Sequence, residues 1–362
     1  MKKLLCVLCT ALLMYSGAVA QTTPDEQKPA VPKPAMALNP VFSATLFTNL
    51  VYSPRGVDGK FANRFDFDRV YFTMKTPLAE DWKFQVTTDI YRNAGATSYY
   101  NGLAVRLKFA MVDYTPFSSL SVKFGMVPGP WNGLVESYWK YRGVASTASD
   151  KFGLIATADA GISACYTLPG KIGDVSLYIL NGTGYSAPEA NRFKDYVARV
   201  TLAPFASSDE LKGLTLSGIA YIGNNGTAVA LEKNRIGGFV GYTYAFIMVG
   251  SEYLVVRNAP SNPDSIQSGS LLSTFAELKS PVAGFASQFS LIGRFDVNEP
   301  NISKGGDITR TLIFGLVFKA NDRVWWVVDH QLCKTEKASQ KVVDGTYTDT
   351  DVRWYLHAII NF

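Results

Sequence analysis

The segment 351–362 alternates between two kinds of side chain with a period of two. Counting back from the C-terminus in steps of two gives an apolar set with an aromatic near each end: Phe362, Ile360, Ala358, Leu356, Trp354 and Val352. The intervening positions carry nearly every polar group of the segment, from Asp351 to Asn361. Because successive side chains of a strand point to opposite faces, this period predicts a β-strand. Its apolar face suits lipid and its polar face an aqueous lumen, although a soluble sandwich edge could show the same alternation.

Segments of similar length recur along the chain from residue 41 onward. They predict sixteen strands, at residues 41–52, 64–76, 82–92, 102–114, 120–127, 156–167, 174–181, 195–203, 213–222, 235–244, 246–257, 270–279, 285–296, 309–319, 324–334 and 351–362. A tilted strand needs about 9–11 residues to cross the hydrocarbon core of a membrane. An even number of such strands is expected for a bacterial barrel made from one chain.

The connections between these strands alternate in length. Those after even strands are mostly short, at 77–80, 115–117, 169–171, 245, 280–282 and 321–322, with one longer stretch at 204–212. Those after odd strands are longer, at 53–63, 128–155, 182–194, 223–234, 258–269, 297–308 and 335–350. Membrane barrels have short turns on the periplasmic side and long loops on the external side. The fold class predicted is therefore all-β, a transmembrane antiparallel β-barrel.

Parity along each strand assigns side chains to lipid or lumen. In strand four it places Val105, Leu107, Phe109 and Met111 on the lipid face, opposite Arg106 and Lys108. A lipid-facing charge at mid-membrane costs about 2–4 kcal/mol, so the charged faces are assigned to the lumen. The basic lumen set is Arg69, Lys75, Lys83, Arg106, Lys108, Lys123, Arg199, Arg235, Arg294, Lys319 and Arg353. The acidic set is Asp89, Asp159, Glu252, Glu277, Asp296, Asp329 and Asp351. Parity leaves the inward face of strand nine undecided.

The chain divides into three predicted parts. Residues 1–20 have the features of a secretory signal peptide, with two lysines, an apolar run and the cleavage site Ala18-Val19-Ala20. Residues 21–40 form a proline-rich lead-in without periodicity, and residues 41–362 form the barrel. No stretch after the signal offers about 18 consecutive apolar residues. Without a membrane-spanning helix, a closed barrel is the remaining way to cross a bilayer.

Composition argues against a nucleic-acid partner. Charged residues are 18% of the chain and its formal net charge is +5. No basic cluster or nucleic-acid-binding motif accompanies this weak charge.

Residues 64–92 carry a motif of the form F-x-F-x-R, a short proline turn and then D-W-x-F followed by an aspartate. This motif resembles the opening hairpin of phosphate-selective porins of the O/P type, and it falls on Phe65, Phe67, Arg69, Asp81, Trp82, Phe84 and Asp89. Val122-Lys123-Phe124-Gly125 is similar to the next hairpin of that family, and the terminal Phe362 resembles the C-terminal signature of outer-membrane barrels. The resemblance implies a Gram-negative outer membrane, a sixteen-strand barrel and a homotrimer. The pore arginines of the family cannot be matched position by position.

The connection 128–155 is the longest, and it is rich in tryptophan and tyrosine. A loop longer than about 12–15 residues in a compact domain is usually functional or disordered. Since it follows the fifth strand, where porins fold a loop inward, we expect it to narrow the lumen and to bring in Lys140 and Arg142. An external cap or a trimer contact is the alternative.

The sequence offers few residues from which a catalytic site could be built. The two histidines, His330 and His357, fall on opposite faces by parity, and no nucleophile accompanies either of them. Cys165 and Cys333 fall on distant strands, so they are predicted to be separate thiols. No metal-ligand spacing or phosphate-binding glycine loop is present. We therefore expect neither an enzyme nor a cofactor.

These patterns predict a passive channel for small hydrophilic solutes, with a mild preference for anions, phosphate being one candidate. The pore-lining residues proposed are Arg69, Arg106, Lys108, Lys123, Lys140, Arg142, Arg199, Arg294 and Arg353. Rings of basic side chains favour anions, although a salt-paired lining would show no preference. The expected partners are membrane lipid, small solutes, two further copies in a homotrimer, and the outer-membrane assembly machinery, which would recognise the strand ending in Phe362. A plugged structural or adhesive barrel and, less favoured, an outer-membrane enzyme are the alternatives.

Overall fold

The computed structural model describes residues 38–54, 63–92, 102–189, 191–336, 341–343, 346–348 and 350–362. In chain order the strands are β1 (Val41–Tyr52), β2 (Asn63–Pro77), β3 (Trp82–Arg92), β4 (Leu103–Phe117), β5 (Leu120–Pro128), β6 (Ala158–Thr167), β7 (Gly173–Leu180), β8 (Asp195–Leu202), β9 (Leu214–Asn224), β10 (Glu232–Tyr244), β11 (Ile247–Asn258), β12 (Gln267–Lys279), β13 (Phe289–Glu299), β14 (Thr309–Lys319), β15 (Val324–Thr335), β16 (Lys341–Val343), β17 (Thr346–Thr348) and β18 (Thr350–Asn361). Two short α-helices are α1 (Asn132–Tyr138) and α2 (Ala148–Lys151). The predicted signal peptide and nearly all of the lead-in lie outside the described residues.

Sixteen of these strands close into one antiparallel barrel. Each barrel strand pairs with its neighbours in sequence, and β18 closes the ring by pairing with both β15 and β1. At the closure Leu46 lies opposite Ile360 and Thr48 opposite Ala358. β16 and β17 form a separate hairpin in the connection before β18. The predicted fold class is confirmed, including the alternation of short turns with longer loops.

The strand bounds agree with the sequence pattern at most positions. β1, β3 and β14 have the predicted bounds, whereas β13 was predicted to begin at residue 285 and begins at Phe289. The residues before it, Gly284–Gln288, form a 3₁₀ turn. Phe285 lies in this turn, outside the strand, and its ring packs on that of Phe289 with the ring centres 5.3 Å apart. The hairpin of β16 and β17 was not predicted, since strands of three residues carry too little pattern.

A β-bulge in β2 shifts the alternation beside β1. Phe47 lies opposite Arg69 and Thr48 opposite Phe67, so Asp68 is the extra residue. A bulge places two residues of one strand opposite one residue of the other, so the parity reverses beyond it. Phe65 can therefore be 85% exposed on the outer face while Arg69 points into the lumen.

A second bulge in β4 makes one sequence prediction wrong. Thr87 lies opposite Phe109 and Thr88 opposite Leu107, which leaves Lys108 as the extra residue. Val105 and Leu107 are exposed on the outer face as predicted, but Met111 is 6% exposed and belongs to the buried cluster inside the barrel. Strict alternation placed Phe109 and Met111 on the lipid face together with Val105 and Leu107. This prediction is wrong because the extra residue Lys108 reverses the alternation beyond it.

The apolar side chains form an outer band and a separate buried cluster. The outer band includes Phe72, Phe314, Val328 and Trp354, each about half exposed on the isolated chain. The buried cluster combines the 129–157 connection with inward residues of the wall, including Ile219 and Tyr221 of β9. This settles the inward face of β9. The described residues contain no helix that is long and apolar enough to cross a membrane.

Gly125 allows β5 to pass close to β4. Its φ is 121°, and a Cβ at this position would lie 2.3 Å from the carbonyl oxygen of Ala110. We expect Gly125→Ala to destabilise the barrel by about 1–3 kcal/mol, the usual cost of a strained backbone, as measured by urea unfolding in detergent. Gly293→Ala is the matched control, because a Cβ there meets no atom within 4 Å. Equal destabilisation by the two substitutions would contradict this account.

Candidate functional site

The connection between β5 and β6 folds into the lumen. This segment, residues 129–157, is called the inward loop below, and it contains α1 and α2. α1 contacts β11 and α2 contacts β12 on the inner wall. Asn132 stabilises the loop from within, because its Nδ2 donates to the carbonyl oxygen of Ile155 at 2.6 Å and its Oδ1 accepts from Thr147 at 2.6 Å. The structure thus answers the question that the sequence left open about the path of this segment.

Aromatic side chains fix the inward loop against one side of the wall. Trp131, Trp139 and Tyr141 are each at most 1% exposed. The Trp131 ring packs edge-on against the ring of Phe239 of β10, with the ring centres 6.5 Å apart. The ring centres of Trp139 and Phe275 of β12 are 5.6 Å apart. Burial of such large rings is strongly favourable, so the loop is part of the packed structure and does not extend into external solvent.

Two buried wall carboxylates hold the same aromatics by hydrogen bonds. The Trp131 indole Nε1 donates to Oε2 of Glu252 at 2.7 Å. The Tyr141 hydroxyl donates to Oε1 of Glu277 at 2.6 Å, and Lys319 Nζ donates to the same oxygen at 3.1 Å. Burial and the adjacent Glu277 carboxylate raise the pKa of Tyr141, so its hydroxyl stays protonated and available as a donor. Glu252 and Glu277 therefore act as anchors of the inward loop.

Wall side chains also bind the backbone of the inward loop. Carbonyl oxygens of the loop accept hydrogen bonds as follows: Pro130 from Arg199 at 2.9 Å, Val144 from Gln331 at 3.1 Å, Ser146 from Arg294 at 2.6 Å and Leu154 from Arg235 at 3.1 Å. Irregular backbone that is buried needs such partners for its polar groups. The contacts come from β8, β10, β13 and β15, so the loop is held along much of the inner wall.

Arg69 and Arg106 converge on one buried carboxylate. Asp89 of β3 is fully buried, and its Oδ2 lies 3.3 Å from Arg69 Nη1 and 2.9 Å from Arg106 Nη2. Lys108 lies beside them, with its Nζ 4.1 Å from the centre of the Tyr71 ring. In the described part of the chain no carboxylate pairs with this lysine. The cluster therefore combines three cations with the buried carboxylate of Asp89.

Arg142 is the residue of the inward loop that contacts the edge of this cluster. Its Nε donates to the Tyr71 hydroxyl at 3.0 Å. Its two terminal nitrogens pair with Glu136 and with Asp150, the latter at 3.0 Å. The loop thus brings one arginine and two carboxylates towards Arg69, and it lowers the net positive charge of the region.

The other predicted pore residues lie apart from this cluster. Lys123 and Arg199 pair with Asp113 at 3.4 Å and with Asp174 at 3.0 Å. Arg353 pairs with Asp351 at 2.7 Å. Arg294 is 1% exposed in its pair with Asp296 and lies under the inward loop. Lys140 is exposed on the loop after α1.

Some lumenal residues were absent from the sequence-based set. Asp113 points inward because the bulge at Lys108 reverses the parity of β4 beyond it. Asp174 begins the inward face of β7, and Glu136 and Asp150 come from the loop, whose path was unknown. Tyr185 follows Gly182 and Gly184, a glycine pair that could have indicated a tight inward turn.

The histidines and cysteines have separate surroundings. His357 Nε2 lies 2.9 Å from Asp329 Oδ2 inside the barrel, whereas the His330 ring packs on Trp354 on the outer side. Cys165 and Cys333 are both free thiols, as predicted. Among the residues whose positions are described, no group of three potential ligands could hold a metal ion.

Comparison with known proteins finds the fold but no sequence family. No protein-family model matches the chain, and no curated protein sequence does either. The anion-selective porin from Comamonas acidovorans is similar in structure, with a TM-score of 0.64 and 10% identity over 90% of this chain and 100% of that chain. OmpF of Salmonella typhi, solved in complex with daunomycin, has a TM-score of 0.63 and 11% identity over 89% of this chain and 97% of that chain. OprB of Pseudomonas putida has a TM-score of 0.62 and 10% identity over 89% of this chain and 94% of that chain.

The fold is therefore a closed sixteen-strand antiparallel barrel of the kind found in these porins. At such low identities the likeness shows the architecture alone. The resemblance of residues 64–92 to phosphate-selective porins stays a prediction.

Proposed function

We propose that this protein is a porin of a Gram-negative outer membrane that passes small hydrophilic solutes by diffusion. The observation that carries the proposal is a closed barrel whose longest connection folds inside against one part of the wall. On other parts of the inner wall, charged side chains such as Lys123, Asp113 and Asp174 stay about one-quarter exposed. A narrowed lumen with a polar wall is the arrangement of a diffusion channel.

The proposed channel favours anions mildly. Arg69 and Arg106 share the single carboxylate of Asp89, and Lys108 adds a third positive charge. Low-dielectric walls focus such a field into the lumen. Most other lumenal cations described above pair with acids, which supports a weak preference over a strong one. Phosphate is one anion that the site could pass, and the anion-selective porin of Comamonas acidovorans has the same fold.

The location and assembly belong to the same proposal. Residues 1–20 direct export, and the outward apolar band inserts the barrel into the outer membrane. The side chain of Phe362 is 78% exposed, while its backbone pairs with Ala44, so the terminal aromatic is available to the assembly machinery. A homotrimer is proposed as well, since OmpT of Vibrio cholerae, solved in a trimer form, has a similar fold.

Planar-bilayer recording tests the channel and its charge preference together. The purified full chain is expected to give stepwise ion currents, with a reversal potential in a potassium chloride gradient that shows chloride to be favoured by about two- to fivefold, the effect of one or two screened charges. Heat-inactivated protein is the control. Folded protein without current would support the plugged structural barrel instead, and a preference for potassium would contradict the anion assignment.

A further inference from the structure

A second external connection, beside the inward loop, also reaches the arginine cluster. It joins β7 to β8, and its first residues include Gly182 and Gly184, with φ of 90° and 70°. These positive angles are readily adopted by glycine, and they allow a tight turn that brings Tyr185 into the lumen. No role is predicted for Tyr185 from the sequence alone.

The Tyr185 hydroxyl binds both arginines at once. It accepts hydrogen bonds from Arg69 Nη1 at 3.0 Å and from Arg106 Nη2 at 2.9 Å, and it donates to Asp89 Oδ2 at 3.2 Å. An oxygen that receives N–H donors from two guanidinium groups occupies the position of an anion's oxygen. Burial raises the pKa of Tyr185, so the group stays a neutral phenol at neutral pH.

The Tyr185 ring also covers Arg106. The guanidinium carbon of Arg106 lies 4.2 Å from the centre of the Tyr185 ring and 4.1 Å from that of Tyr91. The cation is thus enclosed between two aromatic faces, an arrangement that is favourable in itself. An incoming anion must compete with both the ring and the hydroxyl to reach Arg106.

A cavity lies directly beside this contact. It has a volume of about 270 Å³ and is lined in part by Arg69, Arg106, Asp150, Thr157 and Tyr185. The hydroxyl of Thr157 is buried and has no hydrogen-bond partner in the described part of the chain. Every hydrogen bond found from Arg69 to the described residues uses Nη1, so its Nε and Nη2 remain as donors for a ligand.

We propose that Tyr185 is a specificity-determining residue, whose hydroxyl occupies the anion position between Arg69 and Arg106. An anion that enters the cavity binds both arginines fully only when residues 181–187 move away. Tyr185 therefore limits how strongly anions bind at the cluster, which favours rapid passage over retention. This inference rests on the proposed function, because it assigns the anion site of the same channel.

The test compares the full-length wild-type protein with Tyr185→Phe and Tyr185→Ala in planar bilayers. Chloride carries the current, and inorganic phosphate is added as the competing anion. In Tyr185→Ala the phosphate concentration that halves the chloride current is expected to fall about tenfold, the equivalent of roughly one charge-assisted hydrogen bond. Tyr185→Phe removes only the hydroxyl and is expected to show a smaller decrease in the same direction.

Two further variants identify the cause of the effect. Tyr196→Ala is the matched control, because Tyr196 is 52% exposed on the outer face of β8 and is expected to leave phosphate inhibition unchanged. Adding Arg69→Gln to Tyr185→Ala is expected to abolish the gain. Absence of current from the wild-type protein would refute the proposed channel. Wild-type current combined with unaltered phosphate inhibition in both Tyr185 variants would leave the channel standing and overturn the role of Tyr185.

Discussion

Trp131→Ala is expected to detach the inward loop and to increase the single-channel conductance. Trp131 is completely buried, and its indole nitrogen is bound to Glu252. Replacing a buried tryptophan by alanine costs about 3–5 kcal/mol, and here it also leaves the buried carboxylate without its indole donor. A loss of this size raises the population of the detached loop by more than about a hundredfold. Currents in planar bilayers should become larger and noisier than those of the wild type.

Limited proteolysis gives an independent measurement of the same change. The Arg142 side chain is 10% exposed and donates to Tyr71, and Lys151, although exposed, donates to Thr311 of β14. Trypsin should cleave at both residues once the loop detaches. Ser137→Ala is the control, because Ser137 lies exposed on α1 and its hydroxyl bonds only to Leu134 within the loop. If Trp131→Ala keeps both the conductance and the cleavage pattern of the wild type, the loop is not held by this anchor.

The double substitution Arg69→Gln and Arg106→Gln is expected to convert the anion preference into a cation preference. It removes both guanidinium groups from Asp89, which is fully buried and accepts from both of them. Lys108 then balances Asp89, and Arg142 with its partners Glu136 and Asp150 leaves the region with a net negative charge. A buried charge that loses its partners is also costly by about 3–5 kcal/mol. The reversal potential in a potassium chloride gradient should change sign.

Neutralising Asp89 separates the charge effect from general damage. The triple variant with Asp89→Asn carries no charge at these three positions, so its selectivity should lie between those of the wild type and the double variant. Lys123→Gln is a matched single change on β5, where Lys123 already pairs with Asp113, and we expect only a small shift of the reversal potential. An anion preference that survives in the double variant would place the selective charges elsewhere in the lumen.

The barrel could be predicted closely because its information is local. A strand that separates lipid from water must alternate, and each of the sixteen strands repeats the requirement independently. The bounds of β1, β3 and β14 followed from this repetition alone. Small errors at one strand, such as the 3₁₀ turn before β13, do not propagate to the count or to the pairing order.

The candidate site was predicted only in part because its geometry is not local. Arg69, Arg106 and Lys108 were identified as lumenal by their charge, and the structure brings them together around Asp89 and Tyr71. The bulges at Asp68 and Lys108 cannot be inferred from alternation, since each one is an extra residue that pairs with nothing. Asp113 was assigned no lumenal role for this reason.

Sequence alone determined the class of architecture, the order of the strands and the sign of most lumenal charges, because these depend on residue type and a period of two. Tertiary structure decided which charges meet. The inward path of residues 129–157 depends on the fit of Trp131 and Tyr141 to Glu252 and Glu277, on strands more than a hundred residues further along the chain. The position of Tyr185 on Arg69 and Arg106 likewise joins a loop to distant strands. Such contacts follow from closure of the ring, which brings together segments whose spacing in sequence carries no information about their distance.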